Sequence, residues 1–226
     1  MKVASDKHLE LYFTMQNDLF DSIAPKIEEL APGVFIFRSY INEELFYETV
    51  KRVIEEIPFR HMVTPGGKKI NVAGTSMGKC GWHSDRRGYR YEKKDPITGK
   101  PWPMIPDHIS SIVSKAAEKA GFSNFVADSC FINRYEPGVR LTAHIDQDEI
   151  DFDQPIVSVS LGASAMFQIY GEHRSGKPLN IPLHSGDLLI FGGPTRRHYH
   201  GVKKLEQQCH PLTGAFRINM TFRHAL

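Results

Sequence analysis

An imidazole and a carboxylate stand two residues apart in Leu141-Thr142-Ala143-His144-Ile145-Asp146-Gln147-Asp148. On a β-strand side chains alternate between faces, so His144 and Asp146 would point one way and Ile145 the other. Two His and one carboxylate on one face of a metal, with the remaining positions open, is the ligand set of non-haem Fe(II) oxygenases. H-x-D alone is a weak signal in a chain with 11 His and 26 acidic residues, where it also marks an ordinary polar strand end. A third ligand is needed from elsewhere. His198-Tyr199-His200-Gly201 lies far enough downstream for intervening strands to return it beside His144. His200 is preferred. Spacing leaves His198 open, because it shares the same period-2 face, and His173 and His184 are weaker rivals.

A second constellation lies near the C-terminus. In Phe216-Arg217-Ile218-Asn219-Met220-Thr221-Phe222-Arg223 the alternation is strict. Phe216, Ile218, Met220 and Phe222 take one face, and Arg217, Asn219, Thr221 and Arg223 take the other. Paired guanidinium groups on one face suit the two carboxylates of a diacid. Asn133 and Tyr135 share a face of the strand that precedes H-x-D and could add polar contacts.

The elements that must position these groups follow from periodicity and turn signals. Val34–Phe37 reads as a buried strand after the Ala31-Pro32-Gly33 turn. Asn42 caps a helix that runs to Ile57, with Leu45, Phe46, Val50, Val53, Ile54 and Ile57 as its stripe and Pro58 as its stop. A second helix starts at Asp107, read as its N-cap, and ends at Gly121. Short strands are expected at about 128–135, 140–146, 155–161, 164–170, 179–182, 187–191, 198–203 and 215–223. That pattern indicates a sandwich or jelly roll. Residues 60–105 differ in kind. Both tryptophans, Trp82 and Trp102, lie there with Tyr89 and Tyr91. Between Lys79 and Trp102 seven basic residues stand against three acids. Cations interleaved with aromatic rings suit nucleic acid, through phosphates and stacked bases; a solvated hairpin packed on the body would look much the same.

The chain of 226 residues is sized for a single domain, 1–226. Its 41% hydrophobic and 24% charged content is that of a globular protein. No apolar run reaches the roughly 20 residues of a membrane helix, and the N-terminus lacks the apolar core of a signal peptide. A formal charge of +2 argues for no partner by itself. Cys80, Cys130 and Cys209 are scattered, so neither a disulfide framework nor a cysteine metal site is expected, and a reducing cytoplasm fits. Leu19, Phe20 and Ile23 could dock an N-terminal arm on the core.

Taken together, these motifs resemble the AlkB family of Fe(II)- and 2-oxoglutarate-dependent dioxygenases, nearest its bacterial DNA-repair branch. The resemblance is carried by Phe131-Ile132-Asn133-Arg134-Tyr135-x-Pro-Gly, by Leu141-x-x-His144-x-Asp146-x-Asp148-Glu149 and by Pro155–Gly162. It continues through Tyr199-His200-Gly201, Arg217-x-Asn219-x-Thr221-Phe222-Arg223, and the insert's Gly81-Trp82, Gly88-Tyr89-x-Tyr91 and Lys100-Pro101-Trp102-Pro103. It covers about residues 32–224. It implies a mainly β fold, a double-stranded β-helix (jelly-roll) core over about 126–224, with flanking helices and a nucleotide-recognition lid at about 60–105. It implies Fe(II) on His144, Asp146 and His200. It implies 2-oxoglutarate on Asn133, Tyr135, Arg217, Asn219, Thr221 and Arg223, with Arg217 favoured for the distal carboxylate, and O2 as the oxidant. Trp82, Tyr89, Arg90, Tyr91, Asp148 and Arg174 would contact the damaged base or its strand. Phe131, Met77 and Gly74 lie where the pocket surface varies, which bears on substrate range. The implied reaction is oxidative demethylation of 1-methyladenine and 3-methylcytosine in single- or double-stranded DNA, by a monomer, with no membrane partner. The alternatives are the same chemistry on RNA or protein, and a non-catalytic jelly-roll module that binds nucleic acid.

Overall fold

The computed structural model describes residues 26–226; the expected docking of Leu19, Phe20 and Ile23 lies outside them. The strands are β1 (Ile27–Ala31), β2 (Val34–Phe37), β3 (Ala73–Gly78), β4 (Gly81–Asp85), β5 (Gly88–Glu92), β6 (Ser129–Tyr135), β7 (Leu141–His144), β8 (Ile156–Gly162), β9 (Ala165–Gly171), β10 (Leu179–Leu183), β11 (Leu188–Phe191), β12 (Tyr199–Val202) and β13 (Arg217–Arg223). Two helices, α1 (Glu43–Glu56) and α2 (Asp107–Lys119), and a 3-10 turn at Gly193–Thr195 complete the elements of the described residues. A seven-stranded sheet runs β1-β2-β11-β8-β13-β6-β3 and faces a four-stranded sheet β10-β9-β12-β7. Strands β4 and β5 form a separate hairpin. Every strand pair is antiparallel. This is the double-stranded β-helix, or jelly roll, of a mainly β protein.

Strand alternation divides the large sheet into two faces. Phe37, Val157, Val159, Leu188, Ile190, Ile218, Met220 and Phe222 point outward into a core covered by α1 and α2. Val34, Ile36, Ile156, Leu189 and Phe191 point inward, against Phe167, Ile169, Ile181 and Leu183 of the small sheet. Along β6, β8 and β13 the inward positions become polar: Asn133, Ser158, Ser160, Arg217, Asn219, Thr221 and Arg223, all buried. β13 is therefore a central strand, paired on both sides. Its polar row lines the inside of the jelly roll, and polar groups held there require partners.

The helix stops follow local chemistry. Asn42 Oδ1 accepts the Leu45 N–H at 2.9 Å, a side-chain cap on α1. Ile57 turns extended, at φ −132°, as a residue before proline prefers. Asn42→Ala is expected to cost about 1 kcal/mol of stability by denaturant melting; an unchanged midpoint would show that the cap contributes nothing. Leu45, expected in the apolar stripe, is exposed. In α2 the cap position falls to Pro106, which offers no side-chain cap. Asp107 is instead the first helical residue, where its charge meets the positive helix end. Gly121, at φ +87°, ends α2 as expected.

The stretch 60–105 is not all cover. β3 joins the large sheet as its edge, paired with β6. Trp102 is buried and donates its Nε1–H to Glu92 O at 2.8 Å. A Cβ on Gly81 would lie 2.4 Å from the Trp102 ring, so this indole packs behind the β4–β5 hairpin and anchors it.

Candidate active site

Antiparallel pairing of β12 with β7 sets His200 directly opposite His144, and the two rings lie 4.5 Å apart between centroids. β7 ends at His144, so Asp146 stands in the following loop and not on the strand. It converges nonetheless. Asp146 Oδ1 lies 3.5 Å from His144 Nε2 and 3.8 Å from His200 Nε2. Among the described residues these three form the one His/Asp cluster whose ligand atoms all fall within 4.8 Å of one another. The Nδ1 atoms of His144 and His200 lie 3.0 Å from the carbonyls of Thr142 and His198. Donation to those carbonyls leaves each Nε2 lone pair facing the cluster, the tautomer a metal ligand needs. His198 thus contributes its backbone to the orientation of His200. His184 lies elsewhere, against Ser164 at 3.0 Å.

The electrostatics favour a cation here. Burial opposes ionisation of Asp146, but the Arg223 guanidinium and the two histidines hold its carboxyl well below the usual range. Burial and the neighbouring His144 push His200 down to about 4. Burial also opposes charge on His144, yet the Asp146 carboxylate beside it and the Thr142 carbonyl together outweigh that and raise it.

Two residues absent from the expected site, Glu149 and Arg196, hold this loop in place together with Arg223. Arg223 donates to Asp146 Oδ2, with Nε at 3.1 Å, and lies 3.2 Å from Glu149 Oε1. Glu149 is buried and also accepts from Tyr91 Oη at 2.6 Å and from Arg196 Nη2 at 3.0 Å. Arg196 spends its other nitrogens on backbone: Nη1 on Asp146 O and Nε on Gln154 O, both at 3.0 Å. Arg196 sits in the turn before β12 and so ties the Asp146 loop to the strand that carries His200. Glu149 falls inside the recognised motif. Arg196 has no signal in the sequence beyond standing four residues before His200. A further residue absent from the expected site is Ser158 on β8, whose hydroxyl anchors Asn219 at 2.8 Å.

The polar row of β13 divides by role. Arg223 is committed to the two carboxylates. Asn219 gives both amide hydrogens to Ser158 Oγ and Val159 O, and its oxygen accepts from Thr221 Oγ1 at 3.0 Å. Arg217, 1% exposed, donates Nη2 to Ser160 Oγ at 3.1 Å. Its Nε and Nη1 are buried with no hydrogen-bond partner. Buried guanidinium nitrogens without partners mark a place where an anion belongs. Tyr135 lies against Arg217, 5.1 Å from ring to guanidinium carbon. Burial raises its pKa, so the phenol stays neutral.

A cavity of about 630 Å³ opens over the cluster, lined on one side by Asn133, Tyr135, Thr221 and Arg223 and on the other by Trp82, Tyr89 and Tyr91. Hairpin register explains the aromatic wall. Trp82 pairs with Tyr91, and Tyr89 lies on the same face. The Trp82 and Tyr89 rings are nearly parallel, at 13° and 5.7 Å between centroids. Trp82 Nε1 donates to Asp148 Oδ2 at 2.7 Å. Arg174 joins the cavity wall, its guanidinium 5.4 Å over the Tyr199 ring. Arg90 departs from expectation. It shares the opposite hairpin face with His83, holds Asp85 with Nη1 and Nη2 at 2.9 Å each, and binds Glu92 at 2.6 Å. Two acids of its own hairpin neutralise it, and it does not line the cavity. The cations at the mouth are instead Lys68, Lys69 and Arg140, which lie outside the basic run that drew attention in the sequence. The pocket wall includes Phe131, 5.2 Å from Trp82 in a T-shaped contact. A Cβ on Gly74 would fall 2.4 Å from the Phe131 ring. Met77 is wholly buried in the outer core and lies away from the pocket.

A jelly roll carrying an outward-open His/Asp/His cluster beside an unsatisfied buried arginine defines an Fe(II)- and 2-oxoglutarate-dependent dioxygenase. Comparison with known proteins agrees: the profile of the 2OG-Fe(II) oxygenase superfamily matches residues 33–223. The chain is 46% identical over 210 residues to the alpha-ketoglutarate-dependent dioxygenase AlkB of Salmonella typhimurium, covering 92% of this chain and 97% of that one. Identity to the Escherichia coli K12 AlkB is 43% over the same length and coverage. The chain belongs to the AlkB family. The solved structure of OsALKBH1 superposes with a TM-score of 0.74 at 28% identity, covering 88% of this chain and 99% of that one. A more distant relative, the tRNA demethylase abh1 of Schizosaccharomyces pombe, is 27% identical over 220 residues, 81% of this chain and 73% of its own. Fe(II), 2-oxoglutarate and O2 are accordingly its cofactor and co-substrates.

Proposed function

We propose that this dioxygenase removes methyl groups from the ring nitrogens of nucleobases, with 1-methyladenine and 3-methylcytosine in DNA as its principal substrates. The observation that carries this reading is the wall of Trp82, Tyr89 and Tyr91 in the same cavity as the His144/Asp146/His200 cluster. His144, Asp146 and His200 would hold Fe(II). Arg217 would take the distal carboxylate of 2-oxoglutarate, its two unpartnered nitrogens offering a forked, charge-assisted pair. Tyr135, Asn133 and Thr221 would flank the co-substrate. Asn219 acts by bracing Thr221 and β8, since its own hydrogens are engaged. Arg223 would lie at the metal end, holding Asp146.

Bound iron with 2-oxoglutarate and O2 supplies the oxidising power: one oxygen atom goes to the methyl carbon, and the other to succinate as CO2 leaves. The remaining work falls to the protein. A base must leave its stack to enter a cavity this deep. Methylation of the pairing edge removes hydrogen bonds to the partner strand, so a lesion flips more cheaply than a normal base. Trp82 offers its face to the base, with a cation–π contribution where the lesion is positively charged. Asp148, oriented by the Trp82 N–H, places an anion at the rim and favours that cation. Arg174, Lys68, Lys69 and Arg140 suit the phosphates on either side. The hydroxymethyl product then loses formaldehyde and restores the base.

The test is formaldehyde release from a panel of methylated single- and double-stranded DNA and RNA oligonucleotides. The relative named as a tRNA demethylase makes the RNA arm necessary. Release from none of them would overturn the reading. Trp82→Ala is expected to lower demethylation roughly tenfold or more, since base–aromatic stacking contributes about 1–3 kcal/mol, while substrate-independent succinate formation persists. Equal loss of both activities would make Trp82 structural. The free thiols of Cys80, Cys130 and Cys209 fit a reducing cytoplasm. One chain supplies every group invoked, so a monomer is proposed. Among the described residues no helix is long and apolar enough to cross a membrane.

A further inference from the structure

The aromatic hairpin and the metal ligands come from different parts of the chain, yet hydrogen bonds join them directly. Trp82 and Tyr91, a cross-strand pair, each bind one of two consecutive loop residues, Asp148 at 2.7 Å and Glu149 at 2.6 Å. Those residues follow Asp146 closely. Glu149 Oε1 also meets Arg223 Nε at 3.2 Å, and the same guanidinium holds Asp146 Oδ2. Glu149 Oε2 is fixed by Arg196, which grips the Asp146 carbonyl with its next nitrogen. A buried carboxylate surrounded by two guanidiniums and a phenol is an expensive arrangement unless each contact is kept. All three are present.

We propose that Glu149 is a positioning residue that links the Tyr91 end of the substrate-facing hairpin to the metal ligand Asp146, through Arg223 on one side and Arg196 on the other. Seating of a base against the hairpin is then felt at the iron, and an unseated hairpin leaves Asp146 less firmly oriented. The phenol donates to Glu149, Glu149 fixes Arg223, and Arg223 sets the direction of the Asp146 carboxylate. Loss of the Glu149 charge loosens both ends of this line while each metal ligand and each ring of the aromatic wall stays in place. This rests on the nucleobase-demethylase reading given above.

Glu149→Gln keeps the shape of the side chain and removes its charge. Anaerobic Fe(II) titration of the metal-free protein should show affinity weakened about tenfold, the lower end of what lost outer-shell partners cause. The ratio of succinate to formaldehyde on methylated oligonucleotide should rise about threefold or more. Tyr91→Phe keeps the ring in the cavity wall and removes only the oxygen that binds Glu149; it should weaken iron affinity in the same titration and raise the same ratio. It carries the test alone if Glu149→Gln does not fold. Wild-type iron affinity and ratio in Glu149→Gln would overturn the proposal. So would a wild-type iron affinity in Tyr91→Phe, because the hairpin would then have no line to the metal. Absence of formaldehyde from the unmodified enzyme would overturn the demethylase reading instead. Altered iron affinity in Glu149→Gln would still support the metal-side link in that case.

Discussion

His144→Ala is expected to abolish lesion-dependent formaldehyde release, even with Fe(II) and 2-oxoglutarate in excess. The cluster has three protein ligands, and the substitution leaves Asp146 and His200. Asp146 would then remain tied to Arg223, so the residual pair is closer to a neutral ion pair than to a cation site. The loss in iron affinity should exceed the roughly 10–100-fold typical when only an outer-shell partner is removed. The fold should tolerate the change. β7 is a four-residue edge strand of the small sheet, and His144 is only partly buried. A melting temperature near wild type, together with lost iron binding in anaerobic titration, is the expected pair of results. Undiminished turnover would remove the iron assignment altogether.

Arg217→Met should raise the 2-oxoglutarate requirement by about two orders of magnitude. Truncating one partner of a buried, hydrogen-bonded charge pair costs roughly 2–5 kcal/mol, and about 3 kcal/mol corresponds to somewhat more than a hundredfold in affinity. Methionine preserves much of the volume, so the packing against the Tyr135 ring should be kept. The sign of a second effect separates this role from a structural one. Without co-substrate, Arg217 Nε and Nη1 are buried and unpartnered, a cost to the folded state that methionine relieves. The variant should therefore melt at or above the wild-type temperature without 2-oxoglutarate, and should lose the rise that 2-oxoglutarate gives the wild type. A variant that melts well below wild type under both conditions would show Arg217 to be a structural residue.

Much of this was legible because the metal-site and co-substrate segments are regular. Strict alternation in 216–223 separates an apolar face from a polar one, and in the structure Ile218, Met220 and Phe222 meet the outer core while Asn219, Thr221 and Arg223 line the cavity. The strands from β6 to β13 fall close to where alternation and turn residues put them. β3 was not readable. Ala-Gly-Thr-Ser-Met-Gly carries no apolar alternation, yet all six residues are buried, because the stretch is covered on both faces. Choosing between His198 and His200 needed pairing register, which is a property of two strands that the sequence of one does not contain. Composition misled at Arg90. A cation among aromatics looks free until Asp85, from across the hairpin, and Glu92, two residues on along its own strand, are placed against it. Arg196 was invisible for the opposite reason: its three hydrogen bonds reach back more than forty residues, two of them to backbone carbonyls that any residue could offer.

The bare backbone at Gly74 has a consequence for how such an enzyme can diversify. Its missing side chain leaves the room that the Phe131 ring occupies, and Phe131 in turn sets the edge against which Trp82 rests. A single methyl added at that position would drive the ring toward the indole and narrow the entrance for bulkier alkyl adducts. The oxidising centre, in another sheet, would remain as it was. The gauge of the pocket beside Trp82 is thus set by an atom that the chain lacks at Gly74.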